Sequence, residues 1–367
     1  MAWTVGGYGT GTWGGGDMRV LLTGAAGFIG VRVHRELIDA GHEVVAIDVM
    51  LPAAHGVGAI VPENVRLVDV RDADALDSVL RGIDVVCHQA AVVGAGVSAQ
   101  DAPAYASHND LGTAVLLAAM DRAGCRRLVL ASSMVVYGEG RYRGARAVEV
   151  GVRRRGDLEN GMFEHRDPDS DEVMSWEAVP ENAPLRPRSL YAAAKVAQEH
   201  YAAAWAAVTE SGVTALRYHN VYGPDMPRDT PYSGVAAIFR SALEAGEPPQ
   251  VFEDGRQARD FVHVGDIAAA NLAAVEYAHT GFVPLNIASG RPITIGAVAT
   301  TLAAARGGPE PVITGRYRPG DVRHIVASPE QAQRVLGFTA QVDPLDGLAE
   351  FAFAPLRAVA GAGAPVA

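Results

Sequence analysis

Between Arg19 and Ala40 the chain reads Arg19-Val20-Leu21-Leu22-Thr23, then Gly24-Ala25-Ala26-Gly27-Phe28-Ile29-Gly30, then an amphipathic stretch. A short apolar run entering closely spaced glycines and leaving as a helix is a phosphate-binding turn. Gly24, Gly27 and Gly30 let the backbone approach a pyrophosphate, and the helix N-terminus, with Phe28 and Ile29 in its first turn, presents free N–H groups to it. Glycine spacing alone is weak evidence, because turns use glycine anyway; the flanks give it weight. The next strand, Glu43 to Asp48, ends in an acid about twenty residues on. An acid at Asp48 accepts from the adenosine ribose and repels a 2′-phosphate, which favours NAD over NADP.

The same rhythm continues. Val65 to Asp69 reads as a strand followed by Val70, Asp72 to Arg81 as a helix, and Asp84 to His88 as a strand running into Gln89-Ala90-Ala91, small enough to pass close to a dinucleotide. Pro103 to Ala123 is a long helix, and Arg127 to Ser133 a strand with Ser133 at its carboxyl end, where such sheets place ligands. Strands alternating with helices predict an α/β fold, a Rossmann-type doubly wound parallel sheet. The alanine-rich helix from Ser189 to about Glu210 carries Tyr191 and Lys195 at i, i+4, hence on one face. An ammonium beside a phenol lowers its pKa from about 10 toward neutrality, which makes a general base for a sugar hydroxyl. Thr214 to Tyr218 is the next strand.

After Asn220 the character changes, with Gly223-Pro224, Pro227 and Pro231, a helix Val235 to Ala245, and Pro248-Pro249. Val264 to Ala278 reads as a helix, Thr294 begins another to Arg306, and Ser328-Pro329-Glu330-Gln331 has the form of a capping box with proline at the first helical position. The expected organisation is a disordered leader 1–17, an NAD-binding domain 18–218 to which 262–287 returns, a smaller C-terminal substrate-binding region from 219–261 and 288–355, and a disordered tail 359–367. A polar insertion, 139–183, interrupts the first domain. Its Arg153-Arg154-Arg155 and its acids Glu164, Asp167, Asp169, Asp171 and Glu172 read as a solvated charge run whose halves pair with each other. It holds no cysteine, and its single histidine, His165, has no partner at ligand spacing, so no metal site is expected.

A net charge of −11 argues against a nucleic-acid or anionic-membrane surface. No apolar run reaches the ~18 residues of a membrane span and no signal peptide is visible. Cys87 and Cys125 fall in expected core and read as reduced structural residues, as in a cytoplasmic protein.

With Thr23 to Gly30, Ser132-Ser133-Met134-Val135-Val136-Tyr137-Gly138, Tyr191-x-x-x-Lys195, Arg217-Tyr218-His219-Asn220, Arg259 to Asp266, and Arg318-Pro319-Gly320-Asp321 in this order, the chain resembles the extended short-chain dehydrogenase/reductases, the NAD-dependent nucleotide-sugar epimerase/dehydratase family. The resemblance covers about Met18 to Phe353. It implies that Ser133 and Tyr191 grip the sugar 4-hydroxyl, that Lys195 holds the nicotinamide ribose and tunes Tyr191, and that Asp69 and Val70 meet the adenine. It further implies that Asn109 orders the catalytic helix through its neighbours, that Tyr218 and His219 line the nicotinamide pocket, that Asn220 holds a substrate phosphate, and that Arg259 and Arg318 clamp the diphosphate. The family dimer would form through the helices Pro103 to Ala123 and Ser189 to Glu210, whose outer faces are apolar and alanine-rich.

Dehydratases of the family carry an Asp-Glu pair after the catalytic hydroxyl residue. Here Met134 and Val135 follow, neither able to do acid–base work, so the resemblance implies a 4-epimerase that transiently oxidises C4 of a UDP- or dTDP-hexose, with Tyr191 as base. Asp48 to Gly56 and the insertion after Tyr142 are similar to a dTDP-L-rhamnose 4-epimerase-like subset; UDP-glucose 4-epimerases are the close rival. A nucleotide-sugar oxidoreductase or dehydratase, and an NAD-binding sensor without catalysis, remain as alternatives.

Overall fold

Along the strand Arg19–Thr23 side chains alternate between two cores. Val20 and Leu22 pack with Val33 and Leu37 of the helix Phe28–Asp39 and with Ile267 and Ala274 of the helix Val264–Glu276. Leu21 packs on the opposite face, against Leu116 and Met120 of the helix Gly112–Ala123 and Ala202 and Ala206 of the helix Leu190–Thr209. A strand apolar on both faces must be buried on both, and a parallel sheet covered by helices achieves this.

The computed structural model describes residues 12–13, 16–94, 98–144, 147–148, 150–228 and 234–358. Its main sheet has seven strands, in the order Gly281–Ile287, Gly212–Tyr218, Arg127–Ser133, Val85–His88, Arg19–Thr23, Glu43–Asp48, Val65–Leu67, with every neighbouring pair parallel. This is the Rossmann-type α/β fold the alternation predicted. The order reverses between Arg19–Thr23 and Val85–His88, so the chain leaves these two carboxyl ends in opposite directions and opens a crevice there.

Beyond Asn220 a third core forms from Tyr222, Phe239, Leu302 and Phe351. The segments around it join the main body through short ladders, such as Asn220–Tyr222 with Phe261–His263. The insertion contributes a small antiparallel sheet of Arg141–Arg143, Ala147–Val148 and Ser175–Glu177.

Several expectations change. Thr12–Trp13, inside the expected disordered leader, pair antiparallel with Tyr277–Ala278; residues 1–11 and the tail 359–367 lie outside the described residues. The strand from Val65 stops at Leu67, because Asp69 turns back to accept from the Arg71 N–H. The long helix is interrupted by a π segment, Ala106–Leu111. No capping box forms at Ser328: the helix is Glu330–Leu336, preceded by Pro329 without a side-chain cap, while the backbone N–H of Ser328 donates to Val179 O. Cys87 and Cys125 are free and buried, and burial raises the Cys87 thiol to about 12. Among the described residues, no helix is long and apolar enough to cross a membrane.

Candidate active site

The glycine turn sits at the crevice for steric reasons. Gly24 has a φ of 67°, and a Cβ there would lie 2.7 Å from the Ala90 nitrogen. A Cβ on Gly30 would come within 2.0 Å of Gly24 O, so only glycine lets the helix begin this close to the strand. Gly27 is the N-cap residue, its N–H donating to Gly24 O at 3.0 Å. Phe28 faces the third core and Ile29 the first. Asp48, buried, accepts from Ala26 N at 3.1 Å and Met50 N at 2.8 Å, and His55 lies 3.5 Å away. Hydrogen bonding to these groups outweighs burial and holds the Asp48 carboxyl below its usual range, so it stays an anion at the lip of the turn.

Across the crevice the Ala90 N–H donates to the Thr23 hydroxyl at 3.1 Å, and half-buried Ala91 follows. Asn109 lies in the π segment, fully buried, its amide accepting from Val92 N at 2.8 Å and donating to Val92 O at 2.9 Å. Asn109 itself therefore fixes the stretch after Ala91. The connection to the helix Leu190–Thr209 runs through its neighbours: Gln198 donates to the Thr113 hydroxyl at 2.6 Å, and the Tyr105 ring lies 5.9 Å from that of Tyr191. The Asp69 carboxylate is gripped by the Arg71 guanidinium at 2.6 Å, and Val70 packs where a Cβ on Gly112 would lie 2.9 Å from its Cγ2.

Ser133 ends its strand and Tyr191 begins the helix Leu190–Thr209, whose N-cap Ser189 accepts from Ala192 N at 3.1 Å. The fold brings the Ser133 side chain close to the Tyr191 hydroxyl. Lys195 lies on the same face, its Nζ 5.9 Å from the centre of the Tyr191 ring. The electrostatics differ from the expectation of a phenol drawn toward neutrality. Burial pushes the Tyr191 pKa upward, the nearby Ser133 hydroxyl pulls against it, and the proximity of Tyr105 adds to the rise. Lys195 donates to Ala131 O at 2.9 Å; burial draws its own pKa down to about 8, while Glu199 and Asp110 hold it up. Spacing placed Lys195 on the correct face, but the desolvation of Tyr191 belongs to the packed structure.

Sequence reasoning missed Glu199. It accepts from Arg217 at 2.9 Å and 2.7 Å and from the Ser132 hydroxyl, and it is one turn beyond Lys195, so the i, i+4, i+8 series Tyr191, Lys195, Glu199 was a signal for it. His88 was missed as well. Its ring joins Thr23 at 2.8 Å to Thr113 at 3.2 Å, linking the strand that carries the glycine turn to the helix Leu190–Thr209 through Gln198.

The remaining candidates spread along the far side. The Tyr218 hydroxyl is buried between Asn271, 2.9 Å, and Gln89, 3.2 Å. His219 is buried with both ring nitrogens unpartnered, and the buried Asn220 Oδ1 has no partner either. Arg259 donates to the carbonyls of Ala258, Arg323 and Val322 at 2.9, 2.8 and 2.6 Å, whereas Arg318 is exposed and stacks 5.0 Å above the Phe252 ring. The two arginines are thus held by different partners and not as one fork.

The insertion departs from a solvated charge run at Arg153, whose side chain is 3% exposed and bonded to Glu253 at 2.7 Å and to Phe163 O and Asp321 O. Its acid Glu164 reaches outside the insertion to Arg323 and His324, and these contacts draw the Glu164 carboxyl down to about 2 against the opposing effect of burial. Within the insertion, Arg154 and Arg166 both face Asp171, Arg141 and Arg143 both reach Glu177, and Arg155 meets Glu159, so part of its charge pairs as expected. His165 bonds Glu139 at 3.1 Å. Among the described residues no cluster of three or more histidine, cysteine, aspartate or glutamate side chains suits a metal ion. Cavities of about 160 and 110 Å³ lie along the insertion, and neither is lined by Ser133 or Tyr191.

Comparison with known proteins gives this arrangement its relatives. The profile of the NAD dependent epimerase/dehydratase family matches residues 20–154 and 167–288. A dTDP-L-rhamnose 4-epimerase of Burkholderia thailandensis is 33% identical over 344 residues, covering 90% of this chain and 93% of the relative. A UDP-glucose 4-epimerase of Mycolicibacterium smegmatis is 31% identical, covering 91% and 97%. The structure of the Thermus thermophilus UDP-glucose 4-epimerase in complex with NAD superposes with a TM-score of 0.71 at 30% identity, covering 91% of this chain and 98% of that one. By this profile and these relatives, the chain belongs to the NAD dependent epimerase/dehydratase family.

Proposed function

We propose that this protein is an NAD-dependent nucleotide-sugar 4-epimerase acting on a UDP- or dTDP-hexose. The observation that carries the reading is the meeting of the Ser133 side chain and the Tyr191 hydroxyl at the carboxyl edge of the sheet, with Lys195 on the same helix face. Gly24 to Gly30, Asp48, Asp69, Val70, Ala90, Ala91 and Lys195 would hold the NAD. Bound NAD supplies a hydride acceptor that can return the hydride to the same carbon.

Tyr191 takes the proton of the 4-hydroxyl and gives it back, and Ser133 shares that proton's hydrogen bond and fixes the hydroxyl's direction. Lys195, charged near neutral pH, stabilises the phenolate electrostatically as it forms. Because burial raises the resting phenol, Tyr191 must first lose its own proton to solvent, and the phenolate that Lys195 stabilises is the form that takes the proton of the 4-hydroxyl. Met134 and Val135 after Ser133 offer no acid or base for eliminating water, which favours epimerisation over dehydration. Asn220, Arg259 and Arg318 are the groups we assign to the diphosphate.

The relatives named above divide between dTDP and UDP substrates. Incubating the protein with UDP- and dTDP-hexoses, following 4-epimer formation and identifying bound cofactor by mass spectrometry, tests the reading. Net consumption of free NAD(H) would replace it with an oxidoreductase. We also propose a homodimer through the helices that carry Leu111, Tyr201 and Val208, each at least half exposed. A monomeric mass at micromolar concentration would rule that out.

A further inference from the structure

A buried side chain that can hydrogen-bond almost always does so, and one that does not calls for a ligand or a water. His219 is 3% exposed, and neither Nδ1 nor Nε2 has a partner. Its backbone is satisfied, donating to Ile287 O at 3.1 Å, so the unmet demand belongs to the ring alone. Leaving one such group dry costs about 1–3 kcal/mol. The next residue repeats the pattern, since the buried Asn220 Oδ1 is also without a partner.

The position of His219 narrows the choice of ligand. Tyr218, the last residue of its strand, stands in register with Ser133, so His219 is the first residue beyond the sheet on the side of the catalytic hydroxyl. Asn220 then pairs with Phe261, two residues after Arg259. His219 thus stands at the joint between the strand Gly212–Tyr218, beside the one that ends in Ser133, and the ladder that brings in the segment carrying Arg259. If Ser133 meets the reacting carbon and Arg259 the diphosphate, as in the function proposed above, the part of the substrate between them is the hexose. Burial, reinforced by the charge of Arg259, drives the imidazole down to about 3, so it is neutral at working pH and offers one N–H donor and one lone-pair acceptor. Phosphate, ring and glycosidic oxygens only accept. A hydroxyl does both.

We propose that His219 binds the substrate hexose, hydrogen-bonding a hydroxyl other than the reacting one at C4, and so sets which sugars are accepted. This inference rests on the nucleotide-sugar reading and moves His219 from the nicotinamide side of the pocket to the sugar side. Its role is positioning and selection, since a neutral ring with so low a proton affinity is a poor base.

The test uses the NAD-loaded protein with UDP- and dTDP-glucose and their 2-, 3- and 6-deoxy analogues, reading binding by calorimetry and turnover by 4-epimer formation. Wild type should bind one deoxy analogue about 10- to 100-fold more weakly than the parent, the loss expected when a buried partner is left unpaired. His219→Phe, similar in shape, should abolish that discrimination by weakening the parent to the level of the analogue, with UDP or dTDP alone bound as before. His219→Gln, which restores a donor and an acceptor, should recover part of the preference, and cofactor content checks that both variants fold. Unchanged discrimination in His219→Phe overturns the proposal, as does loss of NAD with sugar preference intact. Binding without turnover would remove the 4-epimerase reading and leave this one standing, because calorimetry reports it independently.

Discussion

Glu199→Ala would break a buried ion pair beneath the catalytic face. The side chains of Glu199 and Arg217 are 1% and 3% exposed, and two hydrogen bonds of 2.9 and 2.7 Å join them. Truncation leaves the guanidinium with only the Tyr137 hydroxyl at 2.8 Å and Glu181 O at 2.9 Å, and it takes the acceptor from the Ser132 hydroxyl. Removing one partner of such a pair strands the other charge and costs about 3–5 kcal/mol. At roughly 2 °C per kcal/mol, the lower end for larger chains, the midpoint should fall by about 5–10 °C. Replacing both residues by leucine should cost less than the sum of the single changes, because the charges leave together. Urea and thermal unfolding followed by circular dichroism measure this, with NAD content matched because bound ligand shifts the midpoint. Ser132 precedes Ser133 and Glu199 follows Lys195 by one turn, so Glu199→Gln should also lower kcat/KM at temperatures where it is fully folded. A Glu199→Ala protein less than about 1 kcal/mol below wild type would refute the stranded-charge argument.

Tyr191→Phe keeps the ring and removes the proton acceptor, so turnover should fall by about 10²–10⁴-fold with nucleotide sugar still bound; near-normal epimerisation would remove Tyr191 as base. Lys195→Met should slow turnover and also loosen NAD, whereas Ser133→Ala should cost less than Tyr191→Phe; cofactor retention after desalting separates the two effects. NAD should copurify and NADP compete poorly, because the Asp48 anion repels a 2′-phosphate, and equal affinities in a titration would contradict this. His88, fully buried between Thr23 and Thr113, is held down to about 3 by burial, with Lys195 adding to the effect. The unfolded chain binds its proton near 6.5, so stability should fall as pH drops from about 6.5 toward 3, by on the order of 1 kcal/mol per unit. His219 adds a like slope, so comparing denaturation at pH 7 and pH 5, His88→Gln should reduce the slope by its own share; an equal slope in both proteins would show that His88 carries none of it.

The sequence by itself determined what depends on neighbours along the chain. The turn was legible because Gly24 and Gly30 sit where no side chain fits, and Asp48 because it ends the next strand at the spacing a ribose contact needs. Period and composition marked Arg19–Thr23 and Leu190–Thr209, and the i, i+4 spacing put Tyr191 and Lys195 on one face. The tertiary structure decided what depends on burial and on distant partners. It paired Ser133 with Tyr191, raised the phenol that spacing alone suggested would be lowered, and turned Arg153 from a surface charge into the buried partner of Glu253. It also left His219 without a hydrogen-bond partner. A residue's own letters state its chemistry and its period. The medium around it, and hence the sign of its pKa shift and the worth of its charge, is set by segments far away in sequence that only the folded chain brings into contact.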